Sequence, residues 1–404
     1  MSRLQAGQIA TLVLGIAFLV LLTNAGARFA IGVLIPPMEA DLGWTRSTLS
    51  ASVALFMVVT ALALPISGRM VDRLGAFRVL VFGVSMAGVA LAFMSRVASP
   101  LEGVFVYGVL FALGSAATSI TPVGVLLNRW FPTRTGMANA VAISGMGIGQ
   151  LVVVSVLSAH LAALGWRQAF VFMSLGTLVC LVPLIVVSRF ASADTTTPTN
   201  VRANAATPSP IAKPATLSRV FASPRIWLVL VVYAICGAQD FFVATHFVAF
   251  ALGEGVASEA AGNTLALMGL SGLMGVLIAG YAADKYGPEL PTAVCFGARI
   301  LVFSVFWSSP NENWIFVAAL LYGATFWVTA PLTVVFAGTL GGAAMLGTLS
   351  GLITMVHHLA GGAGVLVGGR VFDALGSYES AMAILLALSI LGVVLTLALR
   401  SPKR

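Results

Sequence analysis

The stretch Gly68-Arg-Met-Val-Asp72-Arg73-Leu-Gly75 returns as Gly280-Tyr-Ala-Ala-Asp284-Lys285-Tyr-Gly287, 212 residues further along the chain. Three more glycines repeat in step: Gly26, Gly136 and Gly165 recur as Gly237, Gly347 and Gly376, each 211 residues on. Chance can give one such match, but four in order at nearly constant spacing indicate a duplicated unit. Both copies of the octapeptide lie between long apolar runs, so an aspartate beside a cation marks the turn between two helices in each half.

Outward from these turns the chain is apolar almost throughout. Of 404 residues, 59% are hydrophobic and 8% charged, whereas a soluble domain carries about 25% charged residues. The apolar stretches are continuous rather than alternating, which excludes a transmembrane β-barrel. At about 20 residues per crossing, the runs predict helices over 9–35, 47–67, 78–95, 101–127, 136–159 and 168–188, then 225–251, 262–282, 291–309, 314–339, 346–369 and 380–399. The expected architecture is an all-α integral membrane protein of twelve helices in two pseudo-symmetric six-helix halves, 1–188 and 225–404. Between them, 189–224 is rich in Ala, Thr, Ser and Pro and reads as a flexible connector. No small-residue cleavage site follows the first apolar run, so that run is expected to stay as the first helix.

The net charge of +8 forms no basic block or stripe, so nucleic acid is not an expected partner. Fifteen of the 21 basic residues fall in loops on one side, four on the other, and Arg28 and Arg299 within apolar runs. Basic loops stay on the cytoplasmic side, which puts both termini and the connector there. Cys180, Cys236 and Cys295 lie far apart in apolar runs and imply neither a disulfide nor a metal site. There is no G-x-x-x-x-G-K-[ST] and no H-E-x-x-H, so neither ATP hydrolysis nor metal-dependent catalysis is expected, and no cofactor.

At Gly68, Asp72, Arg73, Gly75 and Arg78 the chain resembles the signature G-x-x-x-D-[RK]-x-G-x-[RK]-[RK] of the major facilitator superfamily. Phe77 departs from it, as do Glu289 and Leu290 in the second copy. Within the superfamily the sequence is most similar to the monocarboxylate-transporter and oxalate–formate-antiporter group in its bacterial form. The segments that carry this are Gly32-Val-Leu-Ile-Pro-Pro-Met-Glu-Ala-Asp-Leu-Gly-Trp-Thr-Arg46, Asn128-Arg-Trp-Phe-Pro-Thr-Arg-Thr-Gly-Met-Ala-Asn139 and Gly165-Trp-Arg-Gln-Ala-Phe170. One departure matters: characterised monocarboxylate transporters carry an acidic residue and an arginine in the eighth helix, and Asn263–Ala282 here has no charge. The resemblance implies a cavity between the halves lined by helices 1, 4, 5, 7, 10 and 11, with helices 3, 6, 9 and 12 facing lipid.

A charge within the hydrocarbon layer costs about 2.5–3.5 kcal/mol on insertion scales, so each one calls for a reason. Arg28, with Asn24 one turn away, is expected to grip a substrate carboxylate through paired hydrogen bonds. Asp240, near mid-helix, is expected to carry the coupling proton, with Arg28 as its alternative partner. Gln239, which the repeat sets opposite Arg28, and His246, seven residues on, share one helical face. His357 suits carboxylate contact or titration near neutral pH, and its neighbour His358 points about 100° away. Tyr107, Tyr322 and Gln150 are further candidate lining donors. Arg299 is expected to snorkel toward the cytoplasmic face as an anchor. Asp72 with Arg73, and Asp284 with Lys285, read as gates in which ion pairs lock helix ends together.

The functional expectation is secondary transport of a small, monocarboxylate-like organic anion by alternating access. Partners would be the anion, a coupling proton and the lipid bilayer of a bacterial inner membrane, the chain acting as a monomer. The alternative is export of a hydrophobic or cationic compound, with Asp240 as counter-charge.

Overall fold

A computed structural model describes residues 3–44, 46–194, 217–308 and 311–399. Twelve helices are long and apolar enough to cross a membrane. They are α1 (Gly7–Ile31), α2 (Ser52–Leu74), α3 (Ala76–Met94), α4 (Pro100–Trp130), α5 (Thr135–Leu161), α6 (Ala163–Arg189), α7 (Pro224–Gly253), α8 (Asn263–Tyr286), α9 (Glu289–Trp307), α10 (Glu312–Gly341), α11 (Ala343–Phe372) and α12 (Glu379–Ala398). No strand occurs among the described residues. The expected connector is helical at both ends, up to Asp194 and again over Leu217–Ala222. Its middle, 195–216, lies outside the described residues, as does the tail 400–404.

Local chemistry sets several helix ends. Ser99 and Glu102 form a reciprocal capping box at the start of α4, with Pro100 inside its first turn. Ser223 caps α7 by accepting from the Arg225 amide, with Pro224 in the first turn, and Asn311 caps α10. Gly165, in the first turn of α6, breaks the helix between α5 and α6 at φ 72°, a backbone conformation open to glycine. The helix containing α1 runs on to Leu42. There Asp41 accepts hydrogen bonds from Arg167 and from Trp166 Nε1 (3.0 Å) at the start of α6. Two of the segments that carry the family resemblance therefore meet each other. The Arg167 hydrogen bond, with Trp166 adding to it, holds the Asp41 carboxyl below its ordinary value.

The halves meet along two seams, α2 with α11 and α5 with α8. At the end of the molecule that holds the repeated turns, glycine crosses glycine: Gly68 on Gly347, and Gly136 on Gly280. A Cβ added to Gly280 would lie 2.6 Å from the Gly136 carbonyl oxygen, so only hydrogen fits there. Close backbone approach through small residues is how helices associate in a bilayer. The four glycines are the ones the internal repeat singles out.

Each seam is fastened by a carboxylate. Asp72 accepts from the Gly347 and Thr348 amides, both at 2.8 Å, and from Thr348 Oγ1 at 2.6 Å. Asp284 accepts from the Gly136 and Met137 amides at 2.6 and 2.8 Å. The first N–H groups of a helix lack intrahelical partners and carry the positive end of its dipole. The expected ion pairs are replaced by carboxylates seated on main-chain amides of the opposite half. Arg73 and Lys285 are exposed and pair with neither aspartate, among the described residues. This end is closed, and the space between the halves lies beyond it.

Candidate functional site

A cavity of about 400 Å³ occupies that space. Its walls come from α1, α4, α5, α7, α10 and α11, as expected, and also from α2 through Val53, Phe56, Met57, Thr60 and Leu64. The α2 contribution is absent from the sequence reading, although the 53-56-57-60-64 spacing is one helical stripe and was available as a signal.

The first half contributes Arg28. Its guanidinium lies 5.4 Å from the Phe29 ring centre and 5.9 Å from that of Phe56, and it donates to no oxygen among the described residues. Tyr107 lines the cavity and donates to the Arg28 carbonyl oxygen (3.3 Å). A π-helical turn over Val106–Phe111 widens α4 at this level and stacks Tyr107 and Phe111 on Phe56, at 5.3 and 5.4 Å. Such turns concentrate at functional positions. Asn24 also lines the cavity, but its amide is engaged: it donates to the Ser115 carbonyl oxygen (3.0 Å) and to Thr118 Oγ1, and accepts from Ser115 Oγ (2.7 Å).

The second half contributes a connected network around Asp240. Arg299 Nη2 donates to Oδ1 at 2.6 Å, and Tyr322 donates to the same oxygen at 3.0 Å. Cys236 Sγ (3.3 Å) and His357 Nε2 (3.3 Å) meet Oδ2. Arg299, 0% exposed, further donates to Gln239 Oε1, Thr325 Oγ1 and the Thr325 carbonyl oxygen. Every arm of this guanidinium has an acceptor, as burial of a charge requires. His357 lies between this network and the cavity. His358 also lines the cavity, its Nδ1 2.9 Å from the Thr354 carbonyl oxygen, and Phe241 is edge-on to both rings at 5.9 and 5.5 Å.

Residues 17–365 match the family model described as Major Facilitator Superfamily. The chain belongs to the major facilitator superfamily. It is a multi-pass membrane transporter, and known members match over most of its length. An MFS-type transporter of Bacillus subtilis, YcxA, is 24% identical over 89% of this chain and 88% of its own. Human monocarboxylate transporter 11 is 23% identical over 88% of this chain and 75% of its own. The oxalate:formate antiporter of Oxalobacter formigenes is 27% identical over 42% of this chain and 41% of its own. Among solved structures, the transporter FucP in its outward conformation superposes with a TM-score of 0.74 at 13% identity, covering 97% of this chain and 99% of the other. The proton:xylose symporter XylE gives 0.71 at 13%, covering 97% and 96%. At such identities the likeness speaks for the fold.

Not all residues singled out in this superfamily member face its cavity. Arg28, Asn24, Tyr107, Asp240 and His357 line it. Tyr322 stands behind Asp240. Gln239 is turned toward α12, donating to the Leu385 carbonyl oxygen (3.0 Å) and Ser389 Oγ (2.7 Å). His246 is held near the far end of α7 by the Tyr378 hydroxyl and the Val365 carbonyl oxygen, each 3.0 Å away. Gln150 is exposed on α5, outside the cavity lining.

Two expectations change. Arg299 does not snorkel: α9 turns it inward, because a carboxylate at hydrogen-bonding distance offsets burial where lipid on the other face would not. Asp240 is consequently the partner of Arg299, and Arg28 has none among the described residues. Cys236, Asp240 and His357 also bring donor atoms within 4.8 Å of one another, a spacing a metal ion can use. The donor set fits a cation poorly, because the Arg299 guanidinium already occupies Asp240 and lies 3.5 Å from Cys236 Sγ.

Proposed function

We propose that this transporter carries a small organic anion, one carboxylate at a time, by proton-coupled alternating access. The observation that carries the reading is the contrast within the cavity: Arg28 faces it with no acceptor among the described residues, while Asp240 already has a permanent cation. An ionisable side chain at membrane depth marks a ligand pathway, and a free guanidinium calls for a carboxylate that binds both its N–H edges. Asp72, Asp284 and the glycine crossings act as the gate on the side of the termini. The basic-loop asymmetry supports that side being the cytoplasm of a bacterial inner membrane.

Coupling follows from the position of His357. Neutral imidazole has one N–H to share between Asp240 and the cavity; protonated, it has two. The Nε2–H then serves Asp240 while Nδ1–H is free to donate to the anion. Proton and anion therefore favour each other's binding, and by linkage the benefit is mutual. The coupling role that the sequence suggests for Asp240 becomes that of the acceptor that holds the Nε2–H of His357.

The rival reading, export of a hydrophobic or cationic compound, draws on the apolar walls; a cationic substrate would need a free carboxylate, and Asp240 is engaged, while a neutral one would leave Arg28 without a role. Uptake of labelled monocarboxylates into proteoliposomes separates the two. The proposal expects uptake stimulated by an inward proton gradient and lost in Arg28→Gln. Uptake indifferent to Arg28 would sink the anion reading, and indifference to the gradient would remove the proton.

A further inference from the structure

We infer that the anion is an aromatic monocarboxylate, of the benzoate or phenylacetate kind, with its carboxylate on Arg28 and its ring between the phenylalanines of the two halves. This rests on the anion reading above and narrows it. Three features of the cavity lead there.

The first is charge. Arg28 is the only lysine or arginine among the described residues lining the cavity. Arg299 is sealed behind Asp240 and Tyr322. A second carboxylate would enter an apolar space with no cation to meet it, at the desolvation cost of an unpaired charge. The site matches one negative charge.

The second is the poverty of free hydrogen-bonding groups. Asn24 is engaged on both amide atoms. The hydroxyls of Thr60, Ser115, Thr333 and Thr354 each donate to an acceptor within the protein. His358 is held at Nδ1. Beside Arg28 and the two histidines, only the Ser119 hydroxyl and the Trp327 indole N–H remain among the described lining groups as donors for a substrate hydroxyl or keto group, and a polar group buried without a partner weakens binding. Beyond its carboxylate the ligand is apolar.

The third is size and wall chemistry. At about 30 Å³ per water-sized group, a three-carbon hydroxy acid of six such groups displaces at most about 180 Å³, less than half of the 400 Å³ present. Phe29 and Phe56 flank the guanidinium, Phe241 presents its ring beside both histidines, and Phe326 and Trp327 (5.1 Å apart) form part of the α10 wall. Rings in such numbers favour a ring between them through edge and offset contacts. A short hydroxy acid would leave these walls uncovered.

The test uses purified full-length protein in detergent, reading its thermal unfolding midpoint against phenylacetate, benzoate, lactate, oxalate, benzyl alcohol and benzylamine. Ligand binding raises the midpoint by mass action. The expected result is half-maximal stabilisation by phenylacetate or benzoate at tenfold or more lower concentration than lactate. Oxalate and benzyl alcohol should be ineffective, and the aromatic acids should lose their effect in Arg28→Gln. Phe56→Leu should shrink the preference for phenylacetate over lactate by about tenfold. Because the acids are also compared on the unaltered protein, a variant that misfolds does not decide the outcome. Lactate or oxalate acting as well as phenylacetate, through Arg28, would overturn the aromatic class and leave the anion reading standing. Stabilisation by benzylamine or benzyl alcohol, with none by any acid, would overturn both.

Discussion

Arg28 and Arg299 are both arginines at membrane depth, one in each half, and their surroundings are opposite. Arg299 is enclosed by acceptors from α7 and α10, with Asp240 at 2.6 Å and Gln239 and Thr325 at 3.1 Å. Arg28 has aromatic rings and open cavity around it. A buried charge whose acceptors all come from the protein belongs to the architecture; one without them is arranged for something that arrives. On the proposed reading, the same residue type serves as a strut in the second half and as a socket in the first.

The strongest way to break this comparison is Arg299→Leu, which strands Asp240 in an apolar setting. A loss of about 3–5 kcal/mol is expected, read as a drop in thermal unfolding midpoint in detergent. The double replacement Arg299→Leu with Asp240→Leu should recover most of it, since well-packed apolar pairs replace buried ion pairs at little net cost. Arg28→Gln is the reciprocal probe. Its unfolding midpoint should stay level or rise, while transport falls about 100-fold, as expected for losing two charge-assisted hydrogen bonds at about 1.5 kcal/mol each. If the two arginines swapped these phenotypes, strut and socket would be misassigned.

Smaller effects sharpen the comparison of the halves. Asp72→Asn and Asp284→Asn each remove a carboxylate from a helix N-terminus, worth about 1 kcal/mol, and should shift the carrier toward the state open on the side of the termini. Asp72→Asn should act more strongly, because Asp72 also holds the Thr348 hydroxyl. Alkylation rates of a cysteine introduced near Gly347 would register the order. The smallest effect is expected at Asp41, whose partner Arg167 is exposed. Because the folded state lowers this carboxyl from its ordinary 3.8, its contribution is present above that value and fades as pH falls through the lower folded one. Asp41→Asn should therefore differ slightly from the unaltered protein at neutral pH, less in high salt, and not at all on the acid side of the window.

The twelve helices and the two-fold repeat were legible because apolar run length and the Gly/Asp spacing are local properties of the sequence. Arg28, Asn24, Tyr107 and His357 were legible for a related reason, polar groups being scarce in such helices and their depth following from position. The partner of Asp240 was not. Arg299 is 59 residues away, on a helix whose rotation about its own axis no local signal sets. Gln239 and His246 failed similarly as cavity residues. α7 is buried on several faces at once, so a polar residue on it has equal claim to look at α11, α12 or the cavity, and only packing decides. The gate partners were misjudged because main-chain amides leave no mark in a sequence, and the cations beside each aspartate drew attention instead.

The two seams are not fastened equally. Three bonds reach Asp72 and two reach Asp284. Along the same seams, Gly351 presses on the main chain at Leu64 and Pro65, whereas Gly147 meets only the Leu273 side chain. If the halves rock apart at this end, the α5–α8 seam is expected to part before the α2–α11 seam, which would then act as the hinge line, and water would enter first along the flank of α5.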